Sequence, residues 1–421
     1  MTRSPALVAI FVSSLAVMSG QNAVLNRVQL EKQPLLDTLK ALVEIESGSA
    51  DLEGIARIGT LVAERLQAVG GEVESVPAVP NMLRIEGLPE RLGNTVVARF
   101  RGKGTKRILL LAHMDTVYPR GMLAQQPFRI EGDLAYGLGI ADDKHGVALI
   151  IHALSVLKAL NYDQYGLITV LISPDEEVGS LAERDLITSL GASHDIVFSF
   201  EGSTASDSVR LATSGIDIGT LTVKGRAAHA GTAPLDGRNA LYEMAHQILQ
   251  MRDLSDPSKA VKMNWTLASA GSVTNAIPEN ARAIGDIRAD DVKNFDGVEN
   301  VIRERIQKHL IPDTTVEVKF QRMYPPMPVR PQSFGPAEHA QRIYKEIGGT
   351  LKVSEVSTGG GTDAAFAALN TKAPVLEGLG LRNFGSHSNN VEYIYISSIE
   401  PHLYLTARLI MDVSEGKLVL P

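Results

Sequence analysis

Short apolar, β-branched runs alternate with segments of helical periodicity along much of the chain. The strand-like runs are residues 95–100, 108–112, 168–173 and 196–200. The helical segments are residues 35–45, 55–69, 146–160 and 181–190, with two more at 337–347 and 399–413. Strands that alternate with helices are typical of an α/β domain with a largely parallel sheet.

The pattern of strand-like and helical runs changes between residues 215 and 326. The strand-like runs there are residues 216–224, 265–269, 281–288 and 315–320, and the helical ones are 239–251 and 298–310. Two helices among four strands indicate a small α+β sandwich. We therefore predict an α/β fold with a mainly parallel sheet, in two parts at residues 24–214 and 327–421, around an inserted α+β domain at residues 215–326.

The first 23 residues have the layout of a secretory signal peptide. Arg3 is followed by an uncharged apolar run at residues 6–17, and small residues come next, with Ala23 as a candidate cleavage point. The run is short for a bilayer span, which favours export over anchoring. We expect a periplasmic or secreted protein that has no membrane attachment once the signal is removed.

The absence of cysteine restricts the chemistry of the chain. None of the 421 residues is cysteine, so thiol catalysis and cysteine-ligated metal sites are excluded. Any metal has to be bound by His, Asp and Glu. The net charge of -7 at pH 7 provides no basic field for a phosphate backbone, which argues against nucleic acid as a partner.

The strand-like run 108–112 ends in His113-Met114-Asp115. Residues two apart on an extended chain point to the same side, so His113 and Asp115 share a face. A carboxylate beside a histidine fixes its tautomer and makes the other ring nitrogen a better metal ligand. An ordinary polar pair at a strand end is the alternative, and this motif alone leaves both interpretations open.

Two acidic motifs follow. Asp142 and Asp143 precede a helical segment, where adjacent acids commonly act as caps. Glu176 and Glu177 follow the next strand-like run, where a solvated turn is the alternative. A hydrolytic metal site, however, needs both a carboxylate ligand and a general base that does not bind the metal. Adjacent glutamates that point apart could fill both roles.

Taken together and in order, these motifs resemble the signature of the dizinc aminoacylase/carboxypeptidase family, and within it the secreted bacterial glutamate carboxypeptidases. The motifs are His-x-Asp, Gly-Ile-Ala-Asp-Asp-Lys, Asp-Glu-Glu-x-Gly-Ser, a strand-end Glu201 and a late Gly-x-His-Ser at His387, with Lys-Gly-x-Ala-x-His-Ala-Gly and Gly-Gly-Gly-Thr-Asp-Ala-Ala between them. The resemblance covers nearly the whole chain after the leader. Five or more separated motifs in one order rarely arise by chance.

The resemblance implies a metallocarboxypeptidase with two Zn²⁺ ions per subunit. The implied metal ligands are His113, Asp142, Glu177, Glu201 and His387. In this scheme Asp142 bridges both ions, and its peptide bond to Asp143 is cis. Glu176 is the implied general base, and Asp115 orients His113. The implied substrate is a small molecule or short peptide with a C-terminal amino acid.

The resemblance also assigns residues of the inserted domain. His229 would reach the active site of a partner subunit and stabilise the developing oxyanion, which implies a homodimer through this domain. Asn275 and Arg288 resemble residues that hold the substrate, and the planar arginine fork suits a carboxylate. Thr358 and Gly360 belong to a Gly-rich loop that would approach the substrate carboxylate. A turn histidine and a surface salt bridge are the alternatives for His229 and Arg288.

The sequence departs from the glutamate carboxypeptidases beside the implied site. Ser208 stands where they carry a lysine that helps recognise glutamate, with Arg210 as a candidate replacement, and His145 stands where a glycine is usual. Release of glutamate is therefore one hypothesis, and an aminoacylase or dipeptidase that prefers other, apolar residues is the second. A non-catalytic binding protein would have lost a ligand or Glu176, and none is missing.

Overall fold

The protein is represented by a computed structural model, which describes residues 6–78, 90–388, 390–418 and 420, with side chains from residue 23 onward. The predicted signal peptide falls largely outside the residues whose side chains are described. The chain forms two compact units. The first consists of Met1–Leu211, Arg330–Glu355 and Phe366–Pro421, and the second of Ala212–Val329 and Val356–Ala365. The second unit thus takes in a loop segment that lies beyond the predicted insertion.

The described helices and strands follow the chain in this order. The helices are α1 Ala6–Val43, α2 Leu52–Ala68, α3 His145–Ala159, α4 Arg184–Ala192, α5 Ala240–Gln250, α6 Val292–Arg305, α7 Phe334–Glu346, α8 Asp363–Ala368 and α9 Ile399–Ser414. The strands are β1 Glu72–Val76, β2 Thr95–Arg101, β3 Arg107–His113, β4 Arg129–Glu131, β5 Leu134–Tyr136, β6 Leu167–Ser173, β7 Ile196–Ser199, β8 Ser208–Arg210, β9 Gly215–Lys224, β10 Ala228–His229, β11 Lys262–Ala270, β12 Ala276–Ile277, β13 Asn280–Ala289, β14 Thr315–Tyr324, β15 Lys352–Ser354, β16 Val375–Leu376, β17 Asn383–Phe384 and β18 Tyr393–Tyr395.

The main sheet of the first unit has the strand order β1-β2-β6-β3-β7-β16. β6, β3, β7 and β16 pair in parallel, whereas β1 and β2 are antiparallel at one edge. β3 and β6 are buried almost throughout, as expected of central parallel strands that are covered on both faces. The predicted α/β fold with a mainly parallel sheet is confirmed.

Helix α1 is longer than the sequence predicted. The helical periodicity of the sequence begins at residue 35, directly after Pro34, and proline lacks a backbone N–H and disrupts a helix interior. In the structure α1 instead continues through Pro34. Buried Glu31, whose carboxylate lies 2.7 Å from Nδ1 of His152 in α3, anchors the turn before the proline. Tertiary contact therefore outweighs the local cost of the proline.

The second unit is an antiparallel sheet with the order β11-β13-β9-β14 and two helices, α5 and α6. Alternate residues of β9 and β13 are buried, so one face of the sheet packs into the core of this unit. Leu221, Ile287 and Phe295 are among the residues of that core. This is the α+β arrangement that the sequence predicted.

Among the described residues, none of the helices has both the length and the apolar character needed to span a membrane.

Candidate metal centre and active site

The parallel strands deliver their functional residues at one edge of the main sheet. β3 ends at His113, Glu176 and Glu177 follow the end of β6, and Glu201 follows the end of β7. The carboxyl ends of parallel strands lie at the same edge, which is where α/β proteins bind ligands. Asp142 comes from the turn before α3, and His387 comes from the loop between β17 and β18.

These residues form two clusters that share Asp142. Oδ1 of Asp142 lies 3.0 Å from Nε2 of His113, and Oε1 of Glu201 lies 3.4 Å from the same nitrogen. Oδ2 of Asp142 lies 3.1 Å from Nε2 of His387, which is 2.9 Å from Oε2 of Glu177. Each cluster offers three ligand atoms within 4.8 Å of one another. The structure thus brings together every metal ligand that the sequence predicted.

The pKa shifts of the cluster residues are those expected where a positive ion can bind. Burial, followed by the charge of Asp142, raises the pKa of Glu177 to about 8, and burial also raises the pKa of Glu201. Hydrogen bonds to Asp142 and Glu177 raise the pKa of His387 to about 10. Within the described part of the chain, Oε1 of Glu177 is buried without a hydrogen-bond partner. Buried carboxylates that face one another need a positive charge, and carboxylate and imidazole are suitable donors for Zn²⁺.

Asp115 orients the proposed ligands through several contacts of its carboxylate. Its Oδ1 lies 3.2 Å from Nδ1 of His113, which leaves Nε2 of that ring to face the cluster. The carboxylate also accepts hydrogen bonds from the backbone N–H groups of Glu176 and Glu177 and from the hydroxyl of Ser49. Asp115 is fully buried, so its position is fixed. No local pattern in the sequence indicates Ser49, because its contact with Asp115 joins distant segments.

Glu392, which the sequence analysis missed, fixes the turn that carries Asp142. Its Oε1 accepts a 2.8 Å hydrogen bond from the backbone N–H of Ala141, and its Oε2 accepts one of 3.1 Å from Gly139. The hydroxyl of Tyr118 donates to the same oxygen at 2.5 Å. The only signal in the sequence was a lone acid shortly after His387. The peptide bond between Asp142 and Asp143 is cis, as predicted.

Glu176 lies in the short turn Glu176–Val178 and is buried. Its backbone is held through Asp115, but its part as general base stays a prediction. His145 is fully buried, and its Nδ1 lies 3.0 Å from the carbonyl oxygen of Ile140. Burial lowers the pKa of His145 to about 3, so the ring adds no positive charge beside the ligands.

Ser208 and Arg210 have partners within the first unit. The hydroxyl of Ser208 donates to the carbonyl oxygen of Ser203. The guanidinium of Arg210 donates to the carbonyl oxygen of Gly202 at 2.8 Å and to Oε1 of buried Glu377 at 3.0 Å. The assignment of Arg210 to the substrate stays a prediction.

In the second unit, His229 and Asn275 are neighbours. β10 pairs with β12, so that His229 lies opposite Ala276, and the carbonyl oxygen of Asn275 accepts a 2.9 Å hydrogen bond from the N–H of Ala230. Nδ1 of His229 accepts from the N–H groups of Gly231 and Thr232, both at 3.1 Å. The neutral ring therefore carries its proton on Nε2, which makes that nitrogen a hydrogen-bond donor.

Two cations hold the Gly-rich loop of the second unit. Arg288 donates to the carbonyl oxygen of Gly359 at 2.8 Å while it pairs with Asp286. Lys262 donates to the carbonyl oxygen of Thr358 at 3.0 Å. Lys262 and Arg288 are direct partners across β11 and β13, a pairing that the sequence analysis did not foresee. The roles of Arg288, Thr358 and Gly360 in substrate binding stay predictions.

Two ligand clusters that share a carboxylate, at the carboxyl edge of an α/β sheet, define a metal-dependent hydrolase. The model of peptidase family M20/M25/M40 matches residues 109–412, and the chain belongs to this family. The family resemblance inferred from the motifs and the prediction of a metallopeptidase are both confirmed.

Relatives and solved structures agree with this placement. The chain is 42% identical over 413 residues to carboxypeptidase G2 from Pseudomonas sp. strain RS-16, covering 98% of this chain and 97% of the relative. A tripeptidase from Staphylococcus aureus has a TM-score of 0.74 at 21% identity, covering 91% of this chain and 99% of its own. The dipeptidase Dug1p from Saccharomyces cerevisiae has a TM-score of 0.77 at 14% identity, covering 94% and 98%. The two structures support the fold alone.

Proposed function

We propose that this chain is a two-zinc exopeptidase that hydrolyses the amide bond to a C-terminal amino acid. The observation that carries the proposal is the pair of ligand clusters on either side of Asp142, with one carboxylate oxygen toward each histidine. A shared carboxylate is the arrangement expected of two metal ions about 3.5–4 Å apart. The 42% identity to a carboxypeptidase supports release of the C-terminal amino acid and not the N-terminal one.

The residues of the chain have separate tasks in this reaction. The two clusters would hold zinc ions, and the chemistry that these supply is polarisation of the scissile carbonyl and a lower pKa for a nearby water molecule. Glu176 takes a proton from the attacking water and passes it to the leaving amine. Asp115 keeps His113 in the tautomer that leaves Nε2 free to ligate. His229 donates from Nε2 to the oxyanion that develops in the active site of a partner subunit.

Glutamate is the first candidate for the released residue, on the strength of the carboxypeptidase relative. A specific observation favours the alternative of an aminoacylase or dipeptidase with a preference for apolar residues. The hydroxyl of Ser208 and the guanidinium of Arg210 are both engaged within the protein. The charge of Arg210 is already balanced by buried Glu377, and the hydroxyl of Ser208 carries no charge, so neither group adds a net positive charge for a glutamate side chain.

Amino-acid release from a panel of N-benzoyl amino acids tests the function. We expect zinc-loaded protein to release the amino acid and a chelator to stop the reaction. Release led by glutamate would support a glutamate carboxypeptidase, whereas release led by phenylalanine would support the alternative. No release from any acyl amino acid or dipeptide, with zinc bound at two ions per chain, would contradict the proposal.

We also propose a homodimer through the second unit. Large apolar side chains are exposed on α5 and on the edge strand β11 of this unit, together with the loop that follows β11. They are Leu241, Tyr242, Leu249, Leu267 and Val273. Exposed apolar patches and unpaired sheet edges commonly mark interfaces. Sedimentation should give a dimer, and Leu249→Glu combined with Leu267→Glu should give a monomer.

Export through a cleaved signal peptide is the remaining proposal. It rests on the charged start, the short apolar run and the small residues before Ala23. N-terminal sequencing of the protein from the periplasm or the medium should begin near residue 24. Recovery of the intact N-terminus from the cytoplasm alone would contradict it.

A further inference from the structure

An apolar groove of about 570 Å³ lies beside the metal centre, entirely within the first unit. Its lining includes the segment after Asp115, with Val117 and Pro119, and also Val178, which directly follows the ligand Glu177. Glu177 itself lines the groove, so the groove and the candidate metal centre are continuous. Val117 is 43% exposed, although it follows a run of buried residues.

The walls of the groove are tied to the ligands of the metal centre. Thr116 donates through its backbone N–H to the carbonyl oxygen of Ser47 at 2.9 Å, and Gly48 forms a β-bridge with Thr116. The hydroxyl of Ser49 donates at 2.6 Å to Asp115, which also holds the backbone of Glu177. The groove is therefore formed before any substrate arrives, which lowers the ordering cost of binding.

Two neutral polar side chains that line the groove, Ser49 and Tyr118, are already engaged. The hydroxyl of Ser49 is bound to Asp115, and that of Tyr118 is bound to Glu392. Among the described lining residues, the only cation is Arg120, which pairs with Asp51 and Glu53. The surface that remains for a ligand consists mainly of hydrocarbon.

The apolar surface of the groove and the ion pairing of Arg120 indicate which part of the substrate the groove can bind. The amino-acid side of the scissile amide always carries an α-carboxylate, which requires a cation or free hydrogen-bond donors when it is buried. The groove offers no unpaired cation among its described residues, and Glu177 at its inner end adds negative charge. An uncharged acyl group needs no cation and is not repelled by the carboxylate of Glu177.

We propose that the groove formed by Val117, Pro119 and Val178 is the acyl-side subsite and that it binds an apolar acyl group. The inference rests on the proposed function and deepens it, because it assigns specificity for the acyl side to the first unit. Apolar burial makes a larger acyl group a better substrate than a small one that leaves the groove empty.

The test compares two substrates that release the same amino acid, its N-benzoyl and N-acetyl derivatives. Val117→Asp should lower the ratio of kcat/KM for the benzoyl substrate to that for the acetyl substrate about ten-fold, because a carboxylate would face the ring. Inhibition by benzoate should weaken by a similar factor. Val117→Ser should show a smaller loss of the same selectivity. Val292→Asp is the matched control, because Val292 is an exposed valine of the second unit.

The outcomes separate this inference from the proposed function. If both substrates are hydrolysed but Val117→Asp and Val117→Ser change them equally, or not at all, the groove is not the acyl-side subsite and the proposed function stands. If the wild-type protein prefers the acetyl substrate, the inference is also overturned. If the wild-type protein releases no amino acid from any acyl substrate, the proposed function is wrong. The inference about the groove is then wrong as well, because it rests on that function.

Discussion

The candidate metal centre of the first unit and the proposed substrate-binding residues of the second unit differ in how firmly the protein holds them. His113, Asp115 and Glu176 are buried, and the carboxylate of Asp115 is bonded to two backbone N–H groups and a hydroxyl. His229 and Asn275 are exposed, and β10 pairs with β12 over only two residues. The first unit therefore fixes its chemistry by itself. The second unit leaves His229 and Asn275 exposed, as the proposed action of His229 in a partner subunit requires.

The largest expected effect comes from Glu176→Ala in the buried centre. A general base contributes about 10²–10⁴-fold, so kcat should fall toward background while zinc content stays at the wild-type level. Amino-acid release and metal analysis on the same sample measure both. Glu177→Ala should lose metal as well as activity, and Glu74→Ala, an exposed glutamate paired with Arg99, should change neither. Substantial turnover by Glu176→Ala would remove the assigned base.

Metal removal should destabilise the first unit. Without a cation the converging carboxylates repel one another, and bound ligand at about 1,000 times its Kd adds about 4 kcal/mol to the free energy of unfolding. Thermal unfolding with zinc and with chelator measures the difference. The Glu177→Ala variant is the control, since its melting temperature should respond much less to zinc. Equal melting temperatures of the wild-type protein with and without zinc would contradict a metal centre here.

His229→Ala tests the other side of the comparison. Loss of one oxyanion donor costs about 10²–10³-fold in kcat, whereas zinc content and stability should remain unchanged because the residue is exposed. His229→Gln can restore a donor at the same reach and should recover part of the rate. A mixed dimer of His229→Ala and Glu176→Ala chains should regain activity if the histidine acts across subunits. An unaffected rate in His229→Ala would sink the proposed role.

Glu392→Gln should have a smaller effect, on metal affinity. The amide would present a donor toward the N–H of Gly139 or Ala141, both of which now donate to the carboxylate. Residues that orient metal ligands typically contribute about 10–100-fold to affinity. Competition with a chromogenic chelator measures the change, and Glu131→Gln, at an exposed glutamate, is the control. Wild-type affinity in Glu392→Gln would show that the turn holds Asp142 without it.

The metal ligands were predicted because the motifs that carry them resemble, taken in order, the signature of a known family, whereas each motif alone left an ordinary structural role open. His113, Glu177 and Glu201 follow apolar strands, and parallel strands bring their carboxyl ends to one edge of the sheet. Glu392 and Ser49 could not be predicted in the same way, since their partners lie far away in the chain. The same holds for α1, which continues through Pro34 because Glu31 contacts His152 in a distant helix. Local sequence patterns indicate which side chains lie at the carboxyl edge of the main sheet. Contacts between distant segments determine how firmly those side chains are held.

The ligand set begins at His113 and ends at His387, close to the end of the described chain. A ribosome therefore adds His387 after every other ligand of the two clusters. Any fragment that stops earlier retains at most the cluster of His113, Asp142 and Glu201, and it also lacks the carboxylate that steadies the shared aspartate. Activity that depends on both clusters therefore requires synthesis to continue past His387.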